Sequence, residues 1–487
     1  MSCEILINVT PRETRSVLVE NGVLQEVLIE RADARGLVGN IYQGKVSRVL
    51  PGMQAAFIDI GLERTAFLHA NDIVLNSQQD TQPTVSISQL LHEGQTILVQ
   101  VLKEPIGTKG ARLTTQLSIS AHYLVYMPNA DTGVGVSLKI EQSEERHRLK
   151  TVIEDHLAAH HLSGGYIVRT AAEGVIAEEL LAELVFLQQI WQERVSQQGN
   201  LALGDMLYQD LPLALRTLRE FFSPEVERIR IDSTETYEKA VHFSKQFLPD
   251  ALPFIEHYRG GGPLFDLFQV EEEIKKALER KVLLKSGGYL IFDQTEAMTT
   301  VDVNTGGFVG HHNLEETIFK TNLEAATAIA RQLRVRNLGG IIILDFIDMV
   351  EQAHRAKVLA TLEKAMLKDK ARHQISHVSE LGLVEMTRKR NRESLEHILC
   401  QPCPSCAGKG YIKSIETICY DIFRDILREA RQYEHHPFMV LASQKVIEHL
   451  QNESSDYIAD LEAFIGQSIG LKVEQHYSQE QFNVVLL

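Results

Sequence analysis

No apolar run in the sequence approaches the roughly eighteen residues needed to span a bilayer, and no apolar stretch follows the first residues as in a secretory leader. A cytoplasmic protein that is neither exported nor stably inserted in a membrane is expected. Basic residues are in deficit: Lys+Arg is 49 against 65 Asp+Glu, a net charge of −16. That excludes binding a polyanion over the whole surface and confines any nucleic-acid contact to local basic or aromatic patches. Cysteine is sparse, with five residues, Cys3, Cys400, Cys403, Cys406 and Cys419. Three of them cluster, and in a reducing compartment they read as thiols or metal ligands rather than disulfides. Internal repeats and low-complexity tails are absent. What remains is a chain of 487 residues, 44% hydrophobic, long enough for several domains with ordinary cores.

The stretch from Thr299 to Asp348 organises the chain. Thr300-Val301-Asp302-Val303-Asn304 and Gly340-Ile341-Ile342-Ile343-Leu344-Asp345 each read as a buried strand with a carboxylate at its C-terminal tip. Between them Ile318, Ala325, Ala326, Ile329 and Leu333 recur at helical spacing. Asn313 and Glu316 form a capping box, and Gly339-Gly340 is expected to stop the helix. The result is a right-handed β-α-β unit, whose ligand crevice lies beyond the carboxyl ends of its strands. No Lys or Arg lies within either strand. A carboxylate near apolar surroundings needs a partner or a metal, and magnesium takes carboxylate oxygens at about 2.0–2.1 Å while keeping several waters. Asn304, two residues past Asp302, is placed to hold a metal-bound water or a phosphate oxygen. On spacing alone, a turn cap at Asp345 and a distant ion pair for Asp302 account for the pattern equally well.

Elsewhere, residues 1–35 read as a three-stranded meander with a tight Asn21-Gly22 turn and no core of its own. Residues 36–119 read as short strands punctuated by glycine, a small barrel. In it Phe57 and Phe67 fall on polar strand faces, as in a barrel that stacks single-stranded bases, with Lys109 and Arg112 available to phosphates. Packing of the two rings under a neighbouring domain explains them equally. Residues 120–214 contain a strand ending at Arg169-Thr170, a pair able to grip a phosphate monoester, although a surface arginine at a strand end is commonplace. Residues 215–277 hold a strand near Ile229 and a helix near Glu271. The run Arg388-Lys389-Arg390-Asn391-Arg392 is the densest basic patch, suited either to an RNA backbone or to a solvated face. Cys403-Pro404-Ser405-Cys406 is a C-x-x-C knuckle. Zinc needs four ligands, and with no second knuckle in the chain, a second copy supplying the other pair is the economical solution. A redox role is the rival, disfavoured because the motif does not open a helix after a strand. Residues 415–487 read as a small α/β tail.

Thr300 to Asn304, Thr321-Asn322-Leu323-Glu324-Ala325-Ala326, Ala330-Arg331-Gln332-Leu333-Arg334, Ile342 to Met349 and Cys403 to Cys406 together resemble the catalytic core of the ribonuclease E/G family. The resemblance spans almost the whole chain, which stops soon after that core and without a long disordered scaffold. It implies an α/β multidomain protein: an S1-type OB-fold at 36–119, a 5′-phosphate sensor domain at 120–214, and a ribonuclease H-like subdomain from 1–35 and 215–277. A DNase I-like catalytic domain at 278–400, a zinc link at 401–414 and a small domain at 415–487 would follow. It further implies that Asp302 and Asp345 bind one catalytic Mg2+ per subunit with support from Asn304, and that Phe57, Phe67, Lys109, Arg112 and Arg372 meet RNA. Arg169 and Thr170 would sense a 5′-monophosphate. Cys403 and Cys406 would hold a structural Zn2+ shared between two subunits of a homodimer, which can pair into a tetramer. Cys400 has no place in that pattern.

The function expected is magnesium-dependent endonucleolytic cleavage of single-stranded RNA, stimulated by a 5′-monophosphate and leaving 5′-phosphate and 3′-hydroxyl ends. Maturation of 16S-type ribosomal RNA 5′ ends, transfer RNA processing and mRNA decay are the implied roles. A non-catalytic RNA-binding scaffold with a structural zinc is the alternative. A DNA-directed phosphoesterase is a third class, since two carboxylates do not specify the sugar.

Overall fold

Strand pairing between distant segments sets the architecture. The computed structural model describes residues 2–487 apart from 34, 75–85, 106–109, 131–132, 198, 200, 307–313, 380, 391 and 434–435. The chain divides into two compact units, Met1–Ile398 and Leu399–Leu487. No helix among the described residues is long and apolar enough to cross a membrane.

In the first unit the N-terminal strands Cys3–Val9, Glu13–Glu20 and Val23–Arg31 form an antiparallel meander. Asn21 and Gly22 turn it with φ of 50° and 75°, the two positive values that a two-residue hairpin requires. Cys3–Val9 then pairs in parallel with Val226–Ile231, which pairs with Ile255–His257. Ile5 and Ile7 share a core with Leu218, Phe221, Ile229 and Ile231, so the meander obtains its buried face from residues more than two hundred positions away.

Five strands, Ile41–Leu50, Ala55–Asp59, Ala66–His69, Arg112–Thr114 and Thr96–Lys103, follow one another around a barrel, which closes where the first pairs with the last. Met206–Tyr208 is added at its edge. Ala56, Ile58 and Ile60 point into its core. A four-stranded sheet, in the order Val134–Val136, Gly165–Val168, Leu124–Met127 and Ile119–Ser120, carries helices Ser143–His160 and Ala177–Gln197.

The largest core in the unit lies under a six-stranded sheet in the order Lys281–Leu283, Tyr289–Gln294, Met298–Asn304, Gly340–Asp345, Leu383–Arg388 and His373–Val378. Its two central strands are parallel and are joined through helix Leu314–Val335. Val301, Val303, Ile342 and Leu344 of those strands pack against Ala325, Ala326, Ile329 and Leu333 of the helix. The capping residue expected at Asn313 lies outside the described residues.

The expected helix stop at Gly339-Gly340 is not where the helix ends. Asn337 takes the left-handed conformation, φ 49°, and its N–H reaches the Arg334 carbonyl at 3.1 Å while the Leu338 N–H reaches that of Leu333 at 3.0 Å. This is a Schellman closure with asparagine in the usual glycine position. The two glycines instead seat an arginine. A Cβ on Gly339 would stand 2.8 Å from Arg390 Cγ, and one on Gly340 (φ +98°) 3.0 Å from its guanidinium. Arg390 donates to the Gly339 carbonyl at 2.6 Å. Next to it, buried Arg388 makes a two-pronged pair with Asp369, 2.6 and 3.0 Å, and donates to the Leu338 carbonyl at 2.7 Å. The basic run is therefore neither a solvated face nor wholly a surface patch. Arg388 is an internal strut, Arg390 is docked on the backbone, Lys389 and Arg392 are exposed, and Asn391 is outside the described residues.

The second unit builds a three-stranded sheet in the order Ile469–Val473, Phe438–Ala442 and Phe482–Leu486. Helices Ile415–Ala430, Gln444–Asn452 and Ser455–Ile465 bury Ile418, Ile422, Ile426, Val446, Leu450 and Ile458 in the same core as Phe438 and Val440.

Candidate functional site

Asp302 and Asp345 stand opposite each other in the register of the two central parallel strands. Partners in register share a face, and adjacent strands lie roughly 4.8 Å apart. The alternation that buries Val301, Val303, Ile342 and Leu344 turns both aspartates outward. Both are exposed, which corrects the expectation of apolar surroundings. Asn304 Nδ2 donates to Asp302 Oδ2 at 2.8 Å and orients it. The Asp345 carboxyl is raised above its ordinary value, first by partial desolvation and then by the charges of Asp302 and Asp348. A cation bound between them would offset both the desolvation of Asp345 and the like charges of Asp302 and Asp348. Among the described residues no group of three or more His, Cys, Asp or Glu side chains is arranged around one metal position. The donor set nevertheless fits magnesium, which takes one or two carboxylates and fills the rest of its shell with water.

Two residues escaped the pattern reading. Asp348 follows Asp345 after one loop and adds the third negative charge; its signal was the D-x-x-D spacing just past a strand. Asn322, wholly buried on the connecting helix, bonds both backbone groups of Ile347, donating to its carbonyl at 2.7 Å and accepting from its N–H at 3.1 Å. It clamps the loop carrying Asp348, and because Thr317, Thr321 and Gln332 are buried on the same helix, no break in an apolar pattern marked it.

On the barrel, Phe57 and Phe67 are register partners, half-buried, with ring centroids 6.3 Å apart in an edge-to-face arrangement. The row continues across the sheet. Arg48 lies opposite Phe57, Arg112 beside Phe67, and Lys103 opposite Arg112. Two aromatic rings flanked by cations form a platform suited to stacked bases with their phosphates alongside. Arg48 and Lys103 were invisible in sequence because cross-strand register brings them in. Arg112 is committed in part to Asp72, at 2.8 and 3.2 Å. Lys109 lies outside the described residues. Arg372 is exposed just before strand His373–Val378.

Arg169 and Thr170 lie beyond a strand end, not in it: the strand stops at Val168 and Thr170 begins a short 3-10 turn. The Arg169 guanidinium donates to the Ala121 carbonyl at 2.6 Å and pairs with Glu220 at 2.5 Å. The Thr170 hydroxyl lies 3.0 Å from that of Ser137. The segment supplying the Ala121 carbonyl is itself fastened. Buried Glu183 accepts the backbone N–H groups of His122, Tyr123 and Leu124 at 3.1, 2.8 and 2.7 Å.

In the second unit, Cys403 is exposed and Cys406 half-buried. The Cys403 thiol is held below its ordinary value, first by the backbone N–H of Cys406 and then by that of Ser405. The Gly410 N–H donates to Cys406 Sγ at 3.4 Å. N–H groups directed at sulfur favour thiolate, the form that binds zinc. The knuckle precedes helix Ile415–Ala430 by nine positions and opens no helix. Exposed Cys400 lies three residues before it, and Cys419 is buried in the helix core.

Residues 118–391 match the Ribonuclease E/G family, residues 37–116 the S1 RNA binding domain, and residues 402–486 the RNase E/G thioredoxin-like domain. The chain is 52% identical over 493 residues to Ribonuclease G of Escherichia coli strain K12, covering 100% of both. It is 50% identical over 494 residues to Ribonuclease G of Haemophilus influenzae, 99% of each. To Ribonuclease E of Escherichia coli it is 36% identical over 465 residues, 94% of this chain and 43% of that one.

Proposed function

The chain belongs to the ribonuclease E/G family, and from that premise we propose that it is an endoribonuclease that cleaves single-stranded RNA with magnesium, is stimulated by a 5′-monophosphate, and leaves 5′-phosphate and 3′-hydroxyl ends. The observation that carries the reading is the pairing of Asp302 with Asp345 on adjacent parallel strands, inside a chain that resembles Ribonuclease G from end to end. Those two carboxylates would hold the ion, with Asn304 fixing the rotamer of Asp302. Magnesium, when bound, supplies charge neutralisation at the scissile phosphate and an activated water. Asn322 keeps the loop behind Asp345 from shifting, so the site is preorganised on a rigid sheet. The sheet would serve as the DNase I-like catalytic platform and the N-terminal meander with its partners as the ribonuclease H-like part. Ribosomal RNA 5′-end maturation, transfer RNA processing and mRNA turnover are the roles that fit.

The barrel row of Arg48, Phe57, Phe67, Arg112 and Lys103 would lay down the strand. Stacking is worth roughly 1–3 kcal/mol per base. Phe57→Ala and Phe67→Ala are therefore each expected to raise KM for a single-stranded oligonucleotide about tenfold while changing kcat little, as measured by steady-state cleavage. A fall in kcat with KM intact would assign the rings to something other than substrate binding.

Cys403 and Cys406 supply half of a tetrahedral zinc site, and the same pair of a second subunit would complete it in a homodimer. Exposed Tyr411 and Ile412, 76% and 40% accessible, lie beside the knuckle as surface suited to such a contact.

The decisive experiment uses one RNA with a 5′-monophosphate, triphosphate or hydroxyl end, with and without a chelator, and a DNA of the same sequence. Cleavage that requires added magnesium, spares DNA and runs fastest on the monophosphate is expected. RNA that is bound but never shortened would establish the scaffold, and equal rates on the three termini would remove Arg169 and Thr170 from substrate recognition.

A further inference from the structure

Arg169 is not an unencumbered cation waiting for a phosphate. Glu220, near the C-terminal end of helix Leu213–Phe221, already holds it through Oε2 at 2.5 Å. The carboxylate is itself immobilised. Its Oε1 accepts from Arg219 Nε at 3.0 Å. Arg219 is 6% exposed and anchored on Asp210 at 2.8 Å and on the Ser120 carbonyl at 3.0 Å. The Glu220 backbone carbonyl accepts from Lys370 Nζ, whose ammonium lies 4.0 Å from the Phe221 ring centroid. Opposing burial, the charges of Arg169 and Arg219 keep the Glu220 carboxyl below its ordinary value, so it stays ionised at neutral pH.

A fixed anion bonded to the guanidinium has two consequences for a phosphate brought to the same group. It sets where the guanidinium points, because one edge of the planar fork is already engaged. It also repels the newcomer, and the repulsion grows with the newcomer's charge. A 5′-monophosphate carries at most two negative charges, whereas a triphosphate adds further charges close by. An uncharged 5′-hydroxyl feels no repulsion but gains nothing from Arg169.

We propose that Glu220 is the specificity-determining partner of Arg169, positioning its guanidinium through one oxygen and excluding, by its charge, 5′ ends more anionic than a monophosphate. The inference rests on the reading of Arg169 and Thr170 as a 5′-monophosphate pocket. Glu220 acts through Arg169 and is a positioning residue.

The test compares kcat/KM for one RNA bearing 5′-monophosphate, triphosphate or hydroxyl, using native protein, Glu220→Gln and Glu220→Ala. Glutamine keeps an acceptor for Arg169 and removes the charge. Its expected signature is a monophosphate-over-triphosphate preference reduced about tenfold, mainly by faster cleavage of the triphosphate, with the 5′-hydroxyl RNA cleaved at native rate. Alanine removes acceptor and charge together and is expected to lose the monophosphate stimulation as well. Glu220→Asp should restore part of the native preference. A native preference among termini that Glu220→Gln leaves unchanged, with the 5′-hydroxyl rate intact, would overturn the inference while sparing the pocket. Equal native rates on all three termini would overturn both. Were the glutamine variant to lose cleavage of all three RNAs together, Glu220 would be a structural residue and the inference would fall.

Discussion

Asp302→Asn and Asp345→Asn are each expected to lose cleavage by on the order of a thousandfold, equivalent to about 4 kcal/mol of transition-state stabilisation, while keeping the fold. Two outward carboxylates on neighbouring strands are the only acidic groups that both central strands of the sheet carry together. Asparagine preserves size and one acceptor oxygen but removes the charge that would hold a divalent ion. The fold is not expected to suffer. The carboxyl of Asp345 is raised by desolvation and by its acidic neighbours, so removing one charge relieves repulsion and leaves the unfolding temperature unchanged or higher without metal. RNA affinity, carried by the barrel, should stay near native. Single-turnover cleavage, an RNA-binding titration in chelator and a thermal melt together read all three quantities. Native cleavage rates in either variant would end the metal-site reading.

Asp369→Ala is expected to destabilise the first unit by roughly 3–5 kcal/mol, because it strands the buried guanidinium of Arg388. The pair is nearly inaccessible, with side-chain exposures of 6% for Arg388 and 2% for Asp369. Burial alone would raise the Asp369 carboxyl, but the hydrogen bond and charge of Arg388 outweigh it and hold the group below its ordinary value of 3.8. A depressed value means that this stability is fully present above the unfolded-state pKa and is lost as the pH falls through the lower folded value. Asp369→Asn, which retains hydrogen bonding, should lose less. Denaturant melts of native and variant protein at neutral pH and near pH 3 check both statements. A neutral-pH loss below about 1 kcal/mol would show that the Leu338 carbonyl and solvent suffice for Arg388. The functional consequence follows from position: Arg388 ends the strand that pairs with the Asp345 strand, so loosening this pair should also lower cleavage at elevated temperature.

Both predictions concern residues whose legibility differed. Asp302 and Asp345 were readable because apolar strands ending in acid leave a local pattern. The helix between them was readable from Ile318 to Leu333 for the same reason. Arg388 was read as part of a surface run, since sequence offers no way to tell an arginine that faces Asp369 across a fold from one that faces water. Gly339-Gly340 was read as punctuation, although the structure uses the pair to admit Arg390. Glu220 carried no local signal at all; only the tertiary placement of helix Leu213–Phe221 brings it to Arg169, fifty-one positions earlier.

The sequence by itself determined the family, the strands and helices around the acidic pair, the cysteine knuckle and the paired phenylalanines of the barrel. These depend on short-range periodicity and spacing, which the chain carries from residue to residue. The tertiary structure alone decided that Asp302 meets Asp345 in register and in the open, that Arg48 and Lys103 extend the aromatic row, and that Asp369 answers Arg388 and Glu220 answers Arg169. Those outcomes depend on strand pairing and charge burial between segments far apart in the chain, where the free energy of a contact is set by what surrounds it once the chain has closed.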